Sequence, residues 1–146
     1  VSVVVVGGPE FEAALLRATD EAKARVSDAL QATGLELRGD IVKRIQGGPA
    51  TGAIYERGGI SHQASAPGEA PATDQGNLAN GTLYRTVSQL AVEVYNTQVQ
   101  AAALEFGHDY GGGRVIAARP SMVPAVEKIK PKYIKRIERA LGEAFR

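Results

Sequence analysis

A single stripe of apolar and small side chains runs through the first third of the chain: Phe11, Leu15, Ala18, Ala22, Val26, Ala29 and Thr33, continued by Leu37, Ile41 and Ile45. Steps of three and four residues place them on one face of an α-helix, with Arg17, Asp20, Glu21, Lys23 and Asp28 among the positions between, so the segment from Glu10 onward predicts a long amphipathic helix. Such a face must be covered by other elements, and the chain has to supply them. Gly34 and Gly39 lie within the stripe, and each costs about 1 kcal/mol relative to Ala in a helix interior, which predicts a kink or a break there. Ahead of the helix, Ser2 to Val6 reads as a short buried strand closed by Gly7-Gly8-Pro9.

The rest of the sequence offers two kinds of cover. Thr82 to Gln89 and Leu90 to Tyr95 alternate in the manner of strands and predict an antiparallel pair. Near the end, Val123, Val126, Ile129, Ile134, Ile137, Leu141 and Phe145 outline a second apolar helix face. Pro131 bends that helix or opens a second one, because it lacks an amide hydrogen. A short helix is expected over Gln98 to Phe106, carrying Val99, Ala102, Ala103 and Phe106 and stopped by Gly107. The glycine-rich Asp109 to Arg114 reads as a mobile tip, and Val115 to Ala118 as a last short strand. The fold class is therefore α+β, with long N- and C-terminal helices packed on a small antiparallel sheet, in a single domain over 1–146.

Between Gly47 and Gly81 helical and strand periods fade and Gly and Pro become frequent. Ala53 to Arg57 and Ile60 to Ala64 can pair as a hairpin across Gly58-Gly59. The following stretch, Ser65 to Gly76, contains Pro67 and Pro71 and is neither a helix nor a central strand. A loop this long in a small domain is commonly functional, so 47–81 is the predicted Pro/Gly-rich arm and the first place to seek a partner contact.

Composition limits the chemistry. Without cysteine there is no disulfide and no thiolate metal site. A formal net charge of +1 provides no strong global pull toward nucleic acid or anionic membrane. The longest apolar run, Val3 to Val6, is far below the ~20 residues of a spanning helix, so the expectation is a soluble protein made in the cytoplasm with no membrane partner. Glu105 and His108 have i, i+3 spacing but no third ligand, and Gly107 separates them, so neither metal nor other cofactor is expected. Ser61-His62 lacks the setting of a nucleophile, and Gly111-Gly112-Gly113-Arg114 lacks the ending of a phosphate loop. No catalytic residue is assigned and no enzymatic activity is expected. Lys128, Lys130, Lys132, Lys135, Arg136 and Arg139 form a basic stripe that can meet DNA phosphates, an acidic neighbour or only solvent.

Three blocks in order carry a resemblance: Ala66 to Leu78, Ala102 to Gly107, and Ala118 to Ala125 with its Arg119-Pro120-Ser121-Met122 core, followed by a terminal helix. The chain resembles the head–tail joining (neck and tail-completion) proteins of long-tailed phages. It departs from the family pattern at Gln75, where Thr is commoner, and at Ser121, where an aromatic is usual. The resemblance implies a non-enzymatic virion protein at the head–tail junction, made in the host cytoplasm. It would act as one subunit of a homo-oligomeric ring, a hexamer in preference to a dodecamer, that meets connector, tail-terminator or tail-tube proteins, with DNA only passing through. The expected assembly surface comprises Tyr55, Arg57, His62, Pro67, Glu69, Pro71, Asp74 and Leu78 of the arm, then Glu105, Phe106, His108, Arg114, Arg119 and Pro120. Glu105 and Arg119 are expected as structural charges, paired within the subunit or across the ring, and Pro120 and Pro124 as fixing the start of the last helix. A small DNA-binding protein using the basic stripe remains the alternative, and a metal hydrolase around Glu105 and His108 a third.

Overall fold

A computed structural model describes residues 3–6, 8–10, 13 and 19–144. The order is β1 (Val3–Val6), α1 (Asp20–Gly47), β2 (Ile54–Arg57), β3 (Ile60–Gln63), α2 (Asn77–Asn80), β4 (Thr82–Ser88), β5 (Ala91–Asn96), α3 (Ala101–Phe106), β6 (His108–Asp109), β7 (Val115–Ile116) and α4 (Met122–Ala144). The class is α+β, as the periodicities require. The main sheet has the antiparallel order β1-β5-β4, and β2–β3 and β6–β7 are separate two-stranded hairpins.

Helix α1 organises the core. Thr19 caps its start through a hydrogen bond from the Ala22 N–H to the Thr19 hydroxyl, and Asp20 and Glu21 place negative charge in the first turn, where the helix dipole favours it. Ala22, Val26, Leu30, Thr33, Leu37, Ile41 and Ile45 are buried along one broad face. Leu30, not the half-buried Ala29, carries the stripe through its middle turn. This cap also corrects the expected start of the helix at Glu10, since Thr19 itself is extended. Phe11, Leu15 and Ala18 lie outside the described residues.

The expected break at the glycines does not occur: α1 runs continuously through Gly34 and Gly39. At Gly34 the reason is contact. A Cβ built there would lie 2.6 Å from Cε2 of Tyr84 on β4 and 3.0 Å from Cγ2 of Val92 on β5, so the missing side chain lets helix and sheet approach. Gly39 has nothing within 4 Å of such a Cβ, and packing elsewhere along the helix supports its backbone.

Helix α4 lies antiparallel to α1 and shares its core through Met122, Ala125, Ile129, Ile137 and Ala140. Val123 and Ile134, expected on that face, are exposed. Pro131 sits inside α4, which continues as one helix. Charges flank the apolar seam: Lys128 pairs with Asp40, Lys132 with Glu36 at 2.6 Å, Arg136 with Glu36 at 2.5 Å, and Arg25 with Glu143 at 3.1 Å. As residue numbers rise on one helix they fall on the other, so the ladder sets the antiparallel register.

The ladder has a pH consequence. The Lys132 hydrogen bond, aided by Arg136 and opposed by burial, holds Glu36 below its usual 4.5. Burial raises Asp40, but the hydrogen bonds and charges of Lys128 and Arg44 outweigh it and leave the carboxyl below its usual 3.8. Groups depressed by folding contribute fully above those usual values and lose the contribution as pH falls through the lower folded-state pKa. Urea midpoints measured from about pH 5 down to about pH 3 should therefore fall, and a Glu36→Gln/Asp40→Asn double variant should flatten that fall. Parallel curves for the two proteins would remove the ladder as a source of acid sensitivity.

Candidate functional site

The β2–β3 hairpin follows from its turn. Gly58 and Gly59 have φ of 61° and 77°, the left-handed pair that a two-residue type I′ connection needs. Its register places Tyr55 opposite His62 and Arg57 opposite Ile60. Both strands are largely exposed, with Ile54 67% and Ile60 63% accessible. Two strands alone are marginal in water, and this pair is held at its base. The Gly52 N–H donates to the Ala64 carbonyl at 2.8 Å, and the Ala64 N–H to Ala53 at 2.9 Å.

The segment after the hairpin folds back beside it. Ala66-Pro67-Gly68-Glu69 forms a turn closed by the Glu69 N–H to the Ala66 carbonyl at 3.1 Å; Pro67 at the second position and Gly68 at φ 86° match type II. Glu69 then turns its carboxylate onto Thr51 Oγ1 at 2.5 Å and the Ala66 N–H at 2.7 Å. The Thr51 hydroxyl, first, and the Ala66 amide hold this carboxyl below its usual value. Further along, Asp74 bridges to the hairpin, with Oδ2 2.8 Å from Arg57 Nη1 and Oδ1 3.2 Å from His62 Nδ1. Tyr55 stacks on His62 at 5.7 Å between ring centroids.

Between hairpin and returning segment lies a cleft of about 670 Å³. Of the expected surface residues, Tyr55, Arg57, His62, Pro71, Asp74, Leu78 and Arg119 line it. Leu78 is positioned by the short helix α2, whose end is tied down by the Asn96 amide donating to the Leu78 carbonyl at 2.8 Å and to Thr82 Oγ1 at 2.9 Å. Arg119 reaches in from the segment before α4. Its Nε donates to the Ser65 carbonyl and its Nη1 to that of Ala117, both at 3.1 Å. Leu104, which falls within the second resemblance block, and Gln100, which no sequence pattern distinguishes, complete the wall.

The remaining expected residues lie elsewhere. Pro67 is exposed at its turn, and Pro120 is half-buried ahead of α4. Phe106 is 68% exposed, and Val99, expected on the buried face of α3, is exposed as well. That face is instead formed by Ala101 and Glu105, and Gln98 to Gln100 precede the helix. His108 packs edge-on against Tyr110 at 4.3 Å, and the Arg114 guanidinium lies 5.9 Å from the Tyr110 ring on the β6–β7 hairpin.

Glu105 is only 5% exposed and does not pair with Arg119. Its Oε2 accepts from the N–H groups of Ser121 at 2.8 Å and Met122 at 3.0 Å, and Oε1 from that of Val123 at 2.7 Å. The carboxylate thus caps α4 from another element, satisfying donors that have no partner within the helix. With both oxygens committed, and His108 beyond the Gly107 stop, Glu105 and His108 do not form a ligand pair. Among the described residues no group of three or more potential metal-ligating side chains gathers.

The basic stripe is divided. Lys128, Lys132 and Arg136 are engaged by acids of α1, whereas Lys130, Lys135 and Arg139 have no acidic partner among the described residues. None of the described helices is long and apolar enough to cross a membrane.

Fold and site together define a helix-backed α+β domain whose exposed hairpin stands over a polar cleft. In comparisons with known proteins, no family model, no curated protein and no solved structure matches the chain.

Proposed function

We propose that this protein is a non-enzymatic structural subunit of the phage head–tail junction, a neck or tail-completion component acting in a homo-oligomeric ring. The observation that carries the reading is the convergence of the three blocks on which the sequence resemblance rests. The Gly68 N–H bonds the Ala118 carbonyl at 2.8 Å, the Arg119 N–H bonds the Leu104 carbonyl at 2.6 Å, and Glu105 caps the helix begun by Met122. Residues far apart in sequence thus build one scaffold beneath the cleft.

Exposed apolar side chains add support. Ile54, Tyr55 and Ile60 on the β2–β3 hairpin, Tyr110 and Val115 on the β6–β7 hairpin, and Phe106 at the end of α3 lie open to solvent. In a ring they would be covered by neighbouring copies and by connector, tail-terminator or tail-tube proteins. The favoured ring is a hexamer, and its place is the virion.

The test is removal of the gene from a phage that encodes it, followed by electron microscopy of the lysate and native mass measurement of the junction complex. Filled heads separated from finished tails, rescued by the protein supplied in trans and accompanied by a cyclic oligomer in the intact junction, are the expected result. Normally joined particles lacking the polypeptide would end the proposal.

A further inference from the structure

The cleft wall contributed by the hairpin is asymmetric. From β2 only the alternate residues Tyr55 and Arg57 line it, the signature of a strand face. From β3 onward every residue from Ser61 to Ser65 does. A single face cannot present the consecutive Ser61, His62 and Gln63, so the wall takes in the edge of β3 as well as the face that carries Tyr55 and His62.

The register says which groups those are. In a two-residue hairpin the pair flanking the turn exchanges backbone hydrogen bonds, here Arg57 with Ile60, and the next such pair is Tyr55 with His62. Ser61 and Gln63 therefore direct their N–H and C=O groups away from β2. Among the described residues no hydrogen bond reaches these backbone groups, while the Gln63 side chain donates to the Gly52 carbonyl at 3.2 Å. The cleft also holds apolar surface from Pro71, Leu78 and Leu104. At the end of the exposed edge, Arg119 is half-buried and bonded only to carbonyl oxygens, its Nη2 without a partner and its charge without a carboxylate.

We infer that this cleft binds an extended acidic segment of another polypeptide, which adds as a third strand to β3 through Ser61 and Gln63. The segment lays an aliphatic side chain toward Leu78 and Leu104 and sets a carboxylate on Arg119. Strand addition takes its affinity from main-chain hydrogen bonds and its selectivity from side-chain pockets and charge. The inference deepens the assembly reading and rests on it only for where the partner comes from. Peptide binding to the isolated chain is measured separately, so its failure would remove the groove and leave the gene-removal experiment unaffected.

The experiment titrates the ¹⁵N-labelled full chain with acetyl-Val-Glu-Val-Glu-Val-amide, with its lysine counterpart, and with the acidic peptide N-methylated at alternate amides. The acidic peptide should shift the Ser61 and Gln63 amide resonances and saturate. The methylated form should bind about tenfold or more weakly, having lost backbone donors. Ser61→Pro removes an outward N–H at an edge position that tolerates proline, so it should abolish binding with an unchanged melting temperature. Independently of that variant, the inference is overturned if the wild-type chain shows no shifts, if the shifts fall outside the cleft, if the lysine peptide binds equally, or if sedimentation shows a second copy of this chain in the groove.

Discussion

Replacing Glu105 by Ala is expected to lower the stability of the folded chain by about 4 kcal/mol, and its melting temperature by roughly 12 °C. Three backbone N–H groups at the start of α4 depend on this one carboxylate, and Ser121 and Met122 are themselves buried, so water does not simply replace it. Each orphaned buried donor costs about 1–3 kcal/mol, and loss of the negative charge at the helix N-terminus adds to that. Glu105→Gln should lose less, because one acceptor oxygen remains while the amide presents its donors to other donors. Chemical denaturation gives the magnitude, and amide exchange gives the location: protection should fall first at Ser121, Met122 and Val123. A loss below about 1 kcal/mol, the scale of an exposed cap, would mean that α4 is not capped from α3.

The second large effect concerns two glycines on one helix that should respond with opposite sign. Gly34→Val drives a β-branched side chain into the Tyr84 ring and Val92, contacts already at 2.6 and 3.0 Å for a Cβ alone. Overpacking of this kind costs about 1–3 kcal/mol, and the upper end is expected because Tyr84 and Val92 are packed into the core cluster. Gly39→Ala meets nothing and should stabilise the protein by about 0.5–1 kcal/mol through helix propensity and the restricted unfolded chain. Thermal melts of both variants decide the matter. Combining Gly34→Val with Tyr84→Ala should recover part of the loss relative to the sum of the two single changes, since both act on one contact. Equal responses at Gly34 and Gly39 would remove the close approach of α1 to the sheet.

Local chemistry alone determined much of this architecture. The stripe ending at Ile45, the alternating strands of β4 and β5, the left-handed Gly58-Gly59 pair and the helix stop at Gly107 each follow from a period or a backbone preference that needs no distant residue. The class and the bounds of β1 to β5 were legible for that reason, whereas α2, β6 and the starts of α1 and α3 were not. So was part of the cleft: Tyr55, Arg57, His62 and Asp74 belong to a hairpin and a proline-bounded segment whose closeness in sequence limits where they can go.

Only the tertiary structure decided the rest. Gly34 and Gly39 look alike in sequence and differ because one faces Tyr84 and the other faces open space. Glu105 reads as a structural charge on a short helix, with its partner unspecified. Burial against the start of α4 makes it a cap, and residues 16 to 18 positions away supply the hydrogen bonds. Lys128, Lys132 and Arg136 read as positive charge open to DNA, an acidic neighbour or solvent until α1 brings Glu36 and Asp40 beside them. In each case propensity and period specify a residue's own backbone, whereas its electrostatic and steric role depends on which atoms long-range packing places within a few ångströms. That information is absent from any short window of the chain.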